Sequence, residues 1–232
     1  MPVHVPTQIG VHRLDDRARG LAQANPPETS ALVESFIVTK RPGAVALFEQ
    51  LGYQQARNFV MMKRPDLENI PDLPLPEGVE TRPVLPEHYR LIWDASCEAF
   101  SEHWGYFDVG EDAYQAYLKA PEFQPHLWQV AWYGDQVIGM VRSFINEKEN
   151  ARYGFRRGWT EDICVLKSWR GKGIASALIA RSLQTLKKWG MEHATLGVDV
   201  DHPTRALRLY QSLGYQIYQQ EACYRKTLYT RE

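Results

Sequence analysis

Apolar residues recur at helical spacing from position 174 to position 189, where Ile174, Ala175, Leu178, Ile179, Leu183, Leu186 and Trp189 form one stripe. Such a stripe predicts an amphipathic helix with one buried face. Gly190 follows, where a helix commonly stops. Strand-like apolar runs flank the stripe at 159–166 and 194–200. Two further runs, 128–133 and 136–145, straddle Gly134 and Asp135, a pair suited to a tight hairpin turn. Before them, 79–83 suits a short strand. Residues 86–100 suit a helix with Leu91, Ile92, Ala95 and Ala99 at helical spacing, and 111–118 suit a second helix. Toward the end, 204–213 suits a short helix closed by Gly214, and 215–218 and 223–228 suit strands. This order predicts an α/β (α+β) fold with a mixed central sheet and flanking helices.

Part of the pattern occurs twice. Ala206, Leu209, Tyr210, Leu213, Gly214 and Tyr215 align without a gap on Ala44, Leu47, Phe48, Leu51, Gly52 and Tyr53. Apolar runs precede each segment, at 196–200 and 32–38, and follow each, at 215–218 and 59–62. The N-terminal part therefore reads as the closing section of a second copy. Residues 63–78 hold four prolines among many charges, which predicts an extended linker. The expected organisation is a partial copy over 1–62, the linker 63–78 and a complete domain over 79–232. A half-copy leaves a sheet edge bare, which invites docking on the complete domain or on a second chain as a homodimer.

Composition narrows the partners. A formal net charge of -1 argues against a broad basic face for nucleic acid. Cys97, Cys164 and Cys223 are widely spaced, with no C-x-x-C pair. Neither a metal site nor a disulfide framework is expected, and a reducing, cytoplasmic compartment is the simplest reading. Residues 1–10 lack a basic stretch leading into an apolar run, so no secretory signal is expected. No segment approaches the ~18 consecutive apolar residues of a membrane span.

The chemistry concentrates after the run at 159–166. Arg170, Gly171, Lys172, Gly173, Ile174 and Ala175 form a glycine-bearing turn between a strand and a helix. The first turn of a helix leaves N–H groups unpaired and carries partial positive charge. Glycines let a phosphate approach those groups, and Arg170 and Lys172 add charge. The expected product is a pyrophosphate cradle. A P-loop needs G-x-x-x-x-G-K-[ST], which is absent. A dinucleotide fingerprint fits at Gly171 and Gly173, but Ser176 stands at its third glycine. The pattern [QR]-x-x-G-x-[GA] is met by Arg170, Gly173 and Ala175. The turn alone leaves these alternatives open.

The strand–turn–helix unit together with Ala206, Leu209, Tyr210, Gly214 and Tyr215 downstream resembles the GNAT superfamily of acyltransferases, over roughly residues 79–230. Ala99 to Tyr106 is similar to the corresponding region of tandem-GNAT proteins related to mycothiol synthase, and the internal repeat agrees with that subgroup. The resemblance implies a GNAT fold, acetyl-CoA as co-substrate and an amine acceptor. It implies that the strand ending at Leu166 splays from its neighbour, so that Val165 and Leu166 pair with the pantetheine arm. The Val165 N–H then serves as oxyanion donor. Tyr210 matches the family tyrosine near the cofactor sulfur and is the expected general acid. Phe48 stands at its place in the first copy, which is expected to be catalytically dead.

Glu161, in phase with Ile163 and Val165 by simple alternation, is the first candidate for general base; Asp162 or water are the substitutes. His202 replaces the asparagine common in the subgroup. His103, Trp104, Tyr106 and Phe107 are expected to border the acceptor cleft or to pack between helices, and Cys164 to lie in the core. The expected function is acetyl transfer from acetyl-CoA to a primary amine of a small molecule by direct attack in a ternary complex. The alternatives are a non-catalytic acetyl-CoA-binding module, a mycothiol-synthase-like reaction on an aminosugar–thiol conjugate, and a Rossmann nucleotide binder.

Overall fold

A computed structural model describes residues 15–20, 31–106, 110–201 and 206–229. The chain forms two compact units, one of Met1–Met61, Asp199–Asp201 and Tyr218–Glu232, the other of Met62–Val198 and His202–Ile217. The chain's last residues are thus grouped with its N-terminal part.

In the N-terminal unit, β1 (Ala31–Val38) leads into α1 (Pro42–Gln50) and then β2 (Gln54–Arg64). Pro42 opens α1, where its fixed φ suits the first helical turn and its missing N–H costs nothing. The C-terminal strand β8 (Gln216–Tyr229) pairs antiparallel with β1, from Ala31 opposite Tyr229 to Val38 opposite Glu221. Ile37, Ala44, Phe48, Tyr53, Ala222 and Tyr224 form the core of this unit. At its side the Tyr53 hydroxyl donates to Asp15, whose other oxygen meets Lys226 at 2.6 Å. The sequence reads β8 as two strands, because Gln219, Gln220 and Glu221 interrupt its apolar run. As a strand shows a different face at each residue, polar positions do not end it.

The larger unit begins with β3 (Val79–Thr81), a short 3-10 turn at Pro86–His88 and α2 (Tyr89–Phe100), then α3 (Glu111–Tyr117). The hairpin follows as β4 (Gln129–Tyr133) and β5 (Gln136–Phe144), with Gly134 at φ +55 in its turn. Next come α4 (Glu147–Tyr153), β6 (Arg157–Val165), α5 (Ile174–Lys188), β7 (His193–Asp199) and α6 (Ala206–Ser212). β3, β4, β5 and β6 pair antiparallel in sequence, and β6 pairs parallel with β7, so the sheet is mixed.

Helices cover both faces of that sheet. Arg142 and Ser143 are neighbours on β5, so their side chains leave opposite faces. Arg142 donates to Ser96 of α2 at 3.1 Å, while the Ser143 hydroxyl meets Ser182 of α5 at 2.5 Å. The α2 face packs Ile92, Ala95 and Ala99 against Val130, Trp132, Met140 and Cys164. On the other face the buried stripe of α5 is Ile174, Leu178, Ile179, Leu183 and Leu186, as its periodicity predicts; Trp189 is exposed.

Two helix ends match in geometry. The Tyr53 N–H donates to the Phe48 carbonyl at 3.0 Å, and the Tyr215 N–H to the Tyr210 carbonyl at 3.0 Å. Gly52 and Gly214 sit at φ +81 and +86, a backbone conformation glycine adopts without strain. Phe48 and Tyr53 meet edge-on at 63°, as do Tyr210 and Tyr215 at 63°. Among the described residues, no helix is long and apolar enough to cross a membrane.

Candidate active site

β6 and β7 pair over a short stretch, Arg157 opposite His193 to Trp159 opposite Thr195. On its other edge β6 stays paired with β5, but the register slips between Met140 and Arg142. Asp162 lies at that slip with φ +47, a left-handed conformation rare for a residue with a Cβ. The extra residue is a β-bulge, and a bulge re-aims the side chains beyond it. Met140 faces Cys164 and Arg142 faces Glu161. Glu161 therefore shares a face with Cys164, and the simple alternation that puts it in phase with Val165 does not hold.

Beyond the bulge, Gly139 and Val165 are opposite each other, and the Leu166 N–H donates to the Ile138 carbonyl at 2.9 Å. In an antiparallel ladder this makes Gly139 and Val165 a non-hydrogen-bonded pair. The N–H and C=O of Val165 thus point away from β5, toward the side where β7 has separated. Leu166, expected to share that role, has its N–H committed to β5. Its side chain is buried with the α2-side core. Past the bulge, the backbone turned toward the gap is that of Val165 and not of Leu166.

A cleft of about 490 Å³ opens along this edge. Val165 and Cys164 form one wall, Gly171, Gly173, Ile174, Ala175 and Ser176 a second, and Ala99, His103, Leu209 and Tyr210 line the remainder. Gly171 and Gly173 sit at φ +78 and +80, and a Cβ on either would meet no atom within 4 Å. Glycine is needed there for backbone conformation, and the space above it is open. Gly173 caps α5, whose Ala177 N–H returns to the Gly173 carbonyl at 3.1 Å. The N–H groups of Ile174, Ala175 and Ser176 consequently have no acceptor within the helix. Such an array suits the two phosphates of a pyrophosphate. Lys172 stands over the Trp169 ring at 4.5 Å. Arg170 lines the cleft but directs its guanidinium to Val165, Ala99 and Glu102.

Tyr210 is buried, and burial first, then the Glu161 and Cys164 charges, raise its pKa above the ordinary phenol value. It stays protonated across the neutral range. Glu161 is pushed up to about 8, by burial first and by the Asp162 charge second, against a lowering by the Gly197 N–H. A carboxyl group poised there can hold or accept a proton near neutrality. Asp162 pairs with Arg142 at 2.8 Å. Cys164 is pushed up to about 12, chiefly by burial, which leaves its thiol unreactive as a nucleophile.

The cleft thus gathers Val165, Arg170, Gly171, Gly173, Ile174, Ala175 and Tyr210 of the residues singled out in the sequence. Ala99, His103, Cys164 and Leu209, which the sequence also names, line it with them, and Ser176 joins from the first turn of α5; Glu161, Leu166 and Lys172 are not among its lining residues. Tyr106 borders a separate cavity of about 240 Å³ beside Trp93, Ser96 and Arg142. His202 and Phe107 lie outside the described residues.

Residues 88–215 match the Acetyltransferase (GNAT) family. The chain is 30% identical over 219 residues to a mycothiol acetyltransferase of Salinispora arenicola, covering 90% of this chain and 68% of that protein. It is 28% identical over 196 residues to a mycothiol acetyltransferase of Frankia casuarinae, covering 79% of this chain and 55% of that one. A solved GCN5-related N-acetyltransferase from Sphaerobacter thermophilus superposes with a TM-score of 0.75 at 25% identity, over 95% of this chain and 66% of that one. A tandem GNAT protein from the clavulanic acid biosynthesis pathway, at 12% identity and a TM-score of 0.65, shares the fold over 100% of this chain and 73% of its own. The chain therefore spans only part of the length of these relatives. With the family matched over more than half of its residues, and with a fold shared with solved members, this chain belongs to the GNAT family of acetyltransferases.

Proposed function

We propose that this chain transfers an acetyl group from acetyl-CoA to a primary amine of a small molecule, by direct attack in a ternary complex. One observation carries the reading. The outward-facing backbone of Val165, the free N–H groups of the α5 first turn and the Tyr210 phenol converge on a single cleft. The turn N–H groups suit the pyrophosphate of the donor, and the Val165 edge suits its pantetheine amides. The Val165 N–H donates to the thioester carbonyl oxygen as negative charge develops there. The amine lone pair forms the C–N bond and the C–S bond breaks. Tyr210, kept protonated by burial, gives its proton to the leaving sulfur. Glu161 is the first choice to take the proton lost by the amine, with Asp162 or water as substitutes.

The matching ends of α1 and α6 support a second reading about organisation. The elements β1, α1 and β2 are a partial, degenerate copy of β7, α6 and β8. Phe48 holds the place of Tyr210, so this copy has no phenol proton to give. The free cysteines fit a reducing compartment such as the cytoplasm.

Calorimetric titration with acetyl-CoA and with CoA, on the wild type and on Ser176→Glu, tests the donor site. Glutamate in the first turn of α5 is compatible with the helix dipole, so the variant should fold, yet it repels a pyrophosphate. Binding to the wild type that is lost in the folded variant supports the site. Release of CoA is then followed across small amines, including a mycothiol-type amine because two relatives bear that name. Binding without release from any amine would leave a non-catalytic acetyl-CoA-binding module. Absence of binding would remove the reading altogether.

A further inference from the structure

The arginine of the turn spends its donors on the protein. Arg170 Nε donates to the Val165 carbonyl at 3.1 Å, and Nη2 donates to the Ala99 carbonyl at 3.3 Å. Nη1 meets a Glu102 oxygen at 3.4 Å, while Lys167 holds the other Glu102 oxygen at 2.6 Å. The Glu102 carboxyl is held below its usual range, first by the Lys167 bond and further by Arg170. Every nitrogen of the guanidinium is engaged, with β6 on one side and with α2 and the turn that follows it on the other.

Each contact has a local reason. Ala99 lies in the last turn of α2, where carbonyls lack helical donors and the dipole favours a cation. The 165–166 peptide is gripped at both ends, by Leu166 N–H to Ile138 and by Arg170 at the Val165 carbonyl. A guanidinium spreads its donors in a fixed planar fork, which suits three acceptors lying apart better than the compact point charge of an ammonium does. Ala99 and His103 line the same cleft as Val165. The fork therefore sets the distance between the end of α2 and the exposed edge of β6.

We propose that Arg170 is a positioning residue that couples the α2 wall of the cleft to the cofactor-facing edge of β6, and that it is not a ligand of the pyrophosphate. This rests on the acetyl-transfer reading above. The phosphates are left to the N–H groups of Ile174, Ala175 and Ser176. Loss of the fork frees the α2 end, so its main effect falls on how the acceptor is placed rather than on how tightly the donor is held.

The test uses the full chain with Arg170→Gln, Arg170→Lys and Glu102→Gln. Calorimetry with acetyl-CoA should give a Kd for Arg170→Gln within about twofold of wild type, since helix N–H groups carry the phosphates. In turnover the acceptor KM should rise about tenfold with kcat changed less, as misplacement of a cleft wall predicts. Arg170→Lys should recover part of that rise, and Glu102→Gln should show a smaller one in the same direction. Hydrogen exchange at residues 99–106 should speed up in Arg170→Gln by about tenfold while 174–188 keeps its protection. Exchange needs neither donor nor turnover, so it judges the coupling even if the wild type acetylates nothing, an outcome that would count against the function alone. Unchanged exchange at 99–106, or a loss of acetyl-CoA affinity of about tenfold or more in Arg170→Gln, would overturn the proposal.

Discussion

Arg142 and Asp162 meet at 2.8 Å where β5 and β6 fall out of register. Arg142 comes from β5, is 7% exposed, and lies over the rings of Tyr117 at 4.7 Å and Trp128 at 5.8 Å. Its Nη2 serves Ser96 and Asp162, and its Nε and Nη1 have no hydrogen-bond partner among the described residues. Asp162 has the opposite situation, with its side chain 42% exposed and its backbone at φ +47. The pair ties the bulge that turns Val165 outward to the α2 and α3 side of the sheet.

The two members of the pair should respond unequally to loss. Asp162→Asn keeps a residue that tolerates the left-handed conformation, but it removes the counter-charge of a buried guanidinium. Arg142→Met leaves a carboxylate that water already reaches, with an apolar chain between two rings. Asp162→Asn should cost about 2–3 kcal/mol and Arg142→Met less, about 1–2 kcal/mol for the lost ring contacts. Urea denaturation at neutral pH measures both. A larger loss for Arg142→Met would mean that the aromatic seat, rather than the charge pair, holds the bulge.

Glu161 gives a pH signature. Its folded pKa of about 8 lies above the unfolded value of 4.5, so the folded chain holds a proton that the unfolded chain releases between those values. The contribution to stability is whole below about pH 4.5 and declines as pH rises, with the loss complete above about 8. Glu161→Gln removes this titration, so its Tm relative to wild type should climb between about pH 5 and about pH 8.5. If Glu161 also takes the amine proton, the rise of wild-type kcat/KM toward pH 8 should vanish in the variant. A variant that becomes less stable than wild type as pH rises would contradict the burial argument.

Much of the frame is legible in the sequence. The α5 stripe, the Gly134 hairpin and the positive-φ glycines of the turn follow from periodicity and from the limits on residues with a Cβ. The helix α4 is not legible that way, because it lacks an apolar stripe, and its readable signals are the caps. The Asn146 side chain accepts from the Glu149 N–H, and Gly154 closes the helix at φ +67. The bulge at Asp162 escapes altogether, since alternation assumes one residue per pleat. The turn of Arg170 toward Ala99 and Glu102 escapes too, because those partners lie about seventy residues away.

Close approach at Gly139 links the strand edge to donor binding. A Cβ there would come within 2.9 Å of the Cys164 carbonyl oxygen and 3.1 Å of a Val165 methyl. Gly139→Ala must push β6 at the residue that faces the gap. It should destabilise the fold by about 1–3 kcal/mol and weaken acetyl-CoA binding as well. Gly43→Ala is the control, in a helix with nothing within 4 Å of the new Cβ. It should be neutral or stabilising by up to about 1 kcal/mol. Thermal melts and calorimetry on both variants decide; undiminished acetyl-CoA affinity in Gly139→Ala would detach the Val165 edge from the donor.

The sharpest test of chemistry is Tyr210→Phe, because the molecule already shows that phenylalanine fits this setting. Phe48 stands at the equivalent place before Gly52 and Tyr53, with the same backbone bond at 3.0 Å and the same 63° ring angle. The substitution deletes one oxygen and keeps the packing, so stability should change by less than about 1 kcal/mol and acetyl-CoA affinity should hold. Burial keeps the Tyr210 phenol protonated at neutral pH, so the proton lost in the variant is one the wild type can deliver to the leaving sulfur. A drop in kcat of about 10²-fold or more, with Kd for acetyl-CoA unchanged, is the expected result. Full turnover in Tyr210→Phe would assign that proton to water and leave the tyrosine a packing role beside Tyr215.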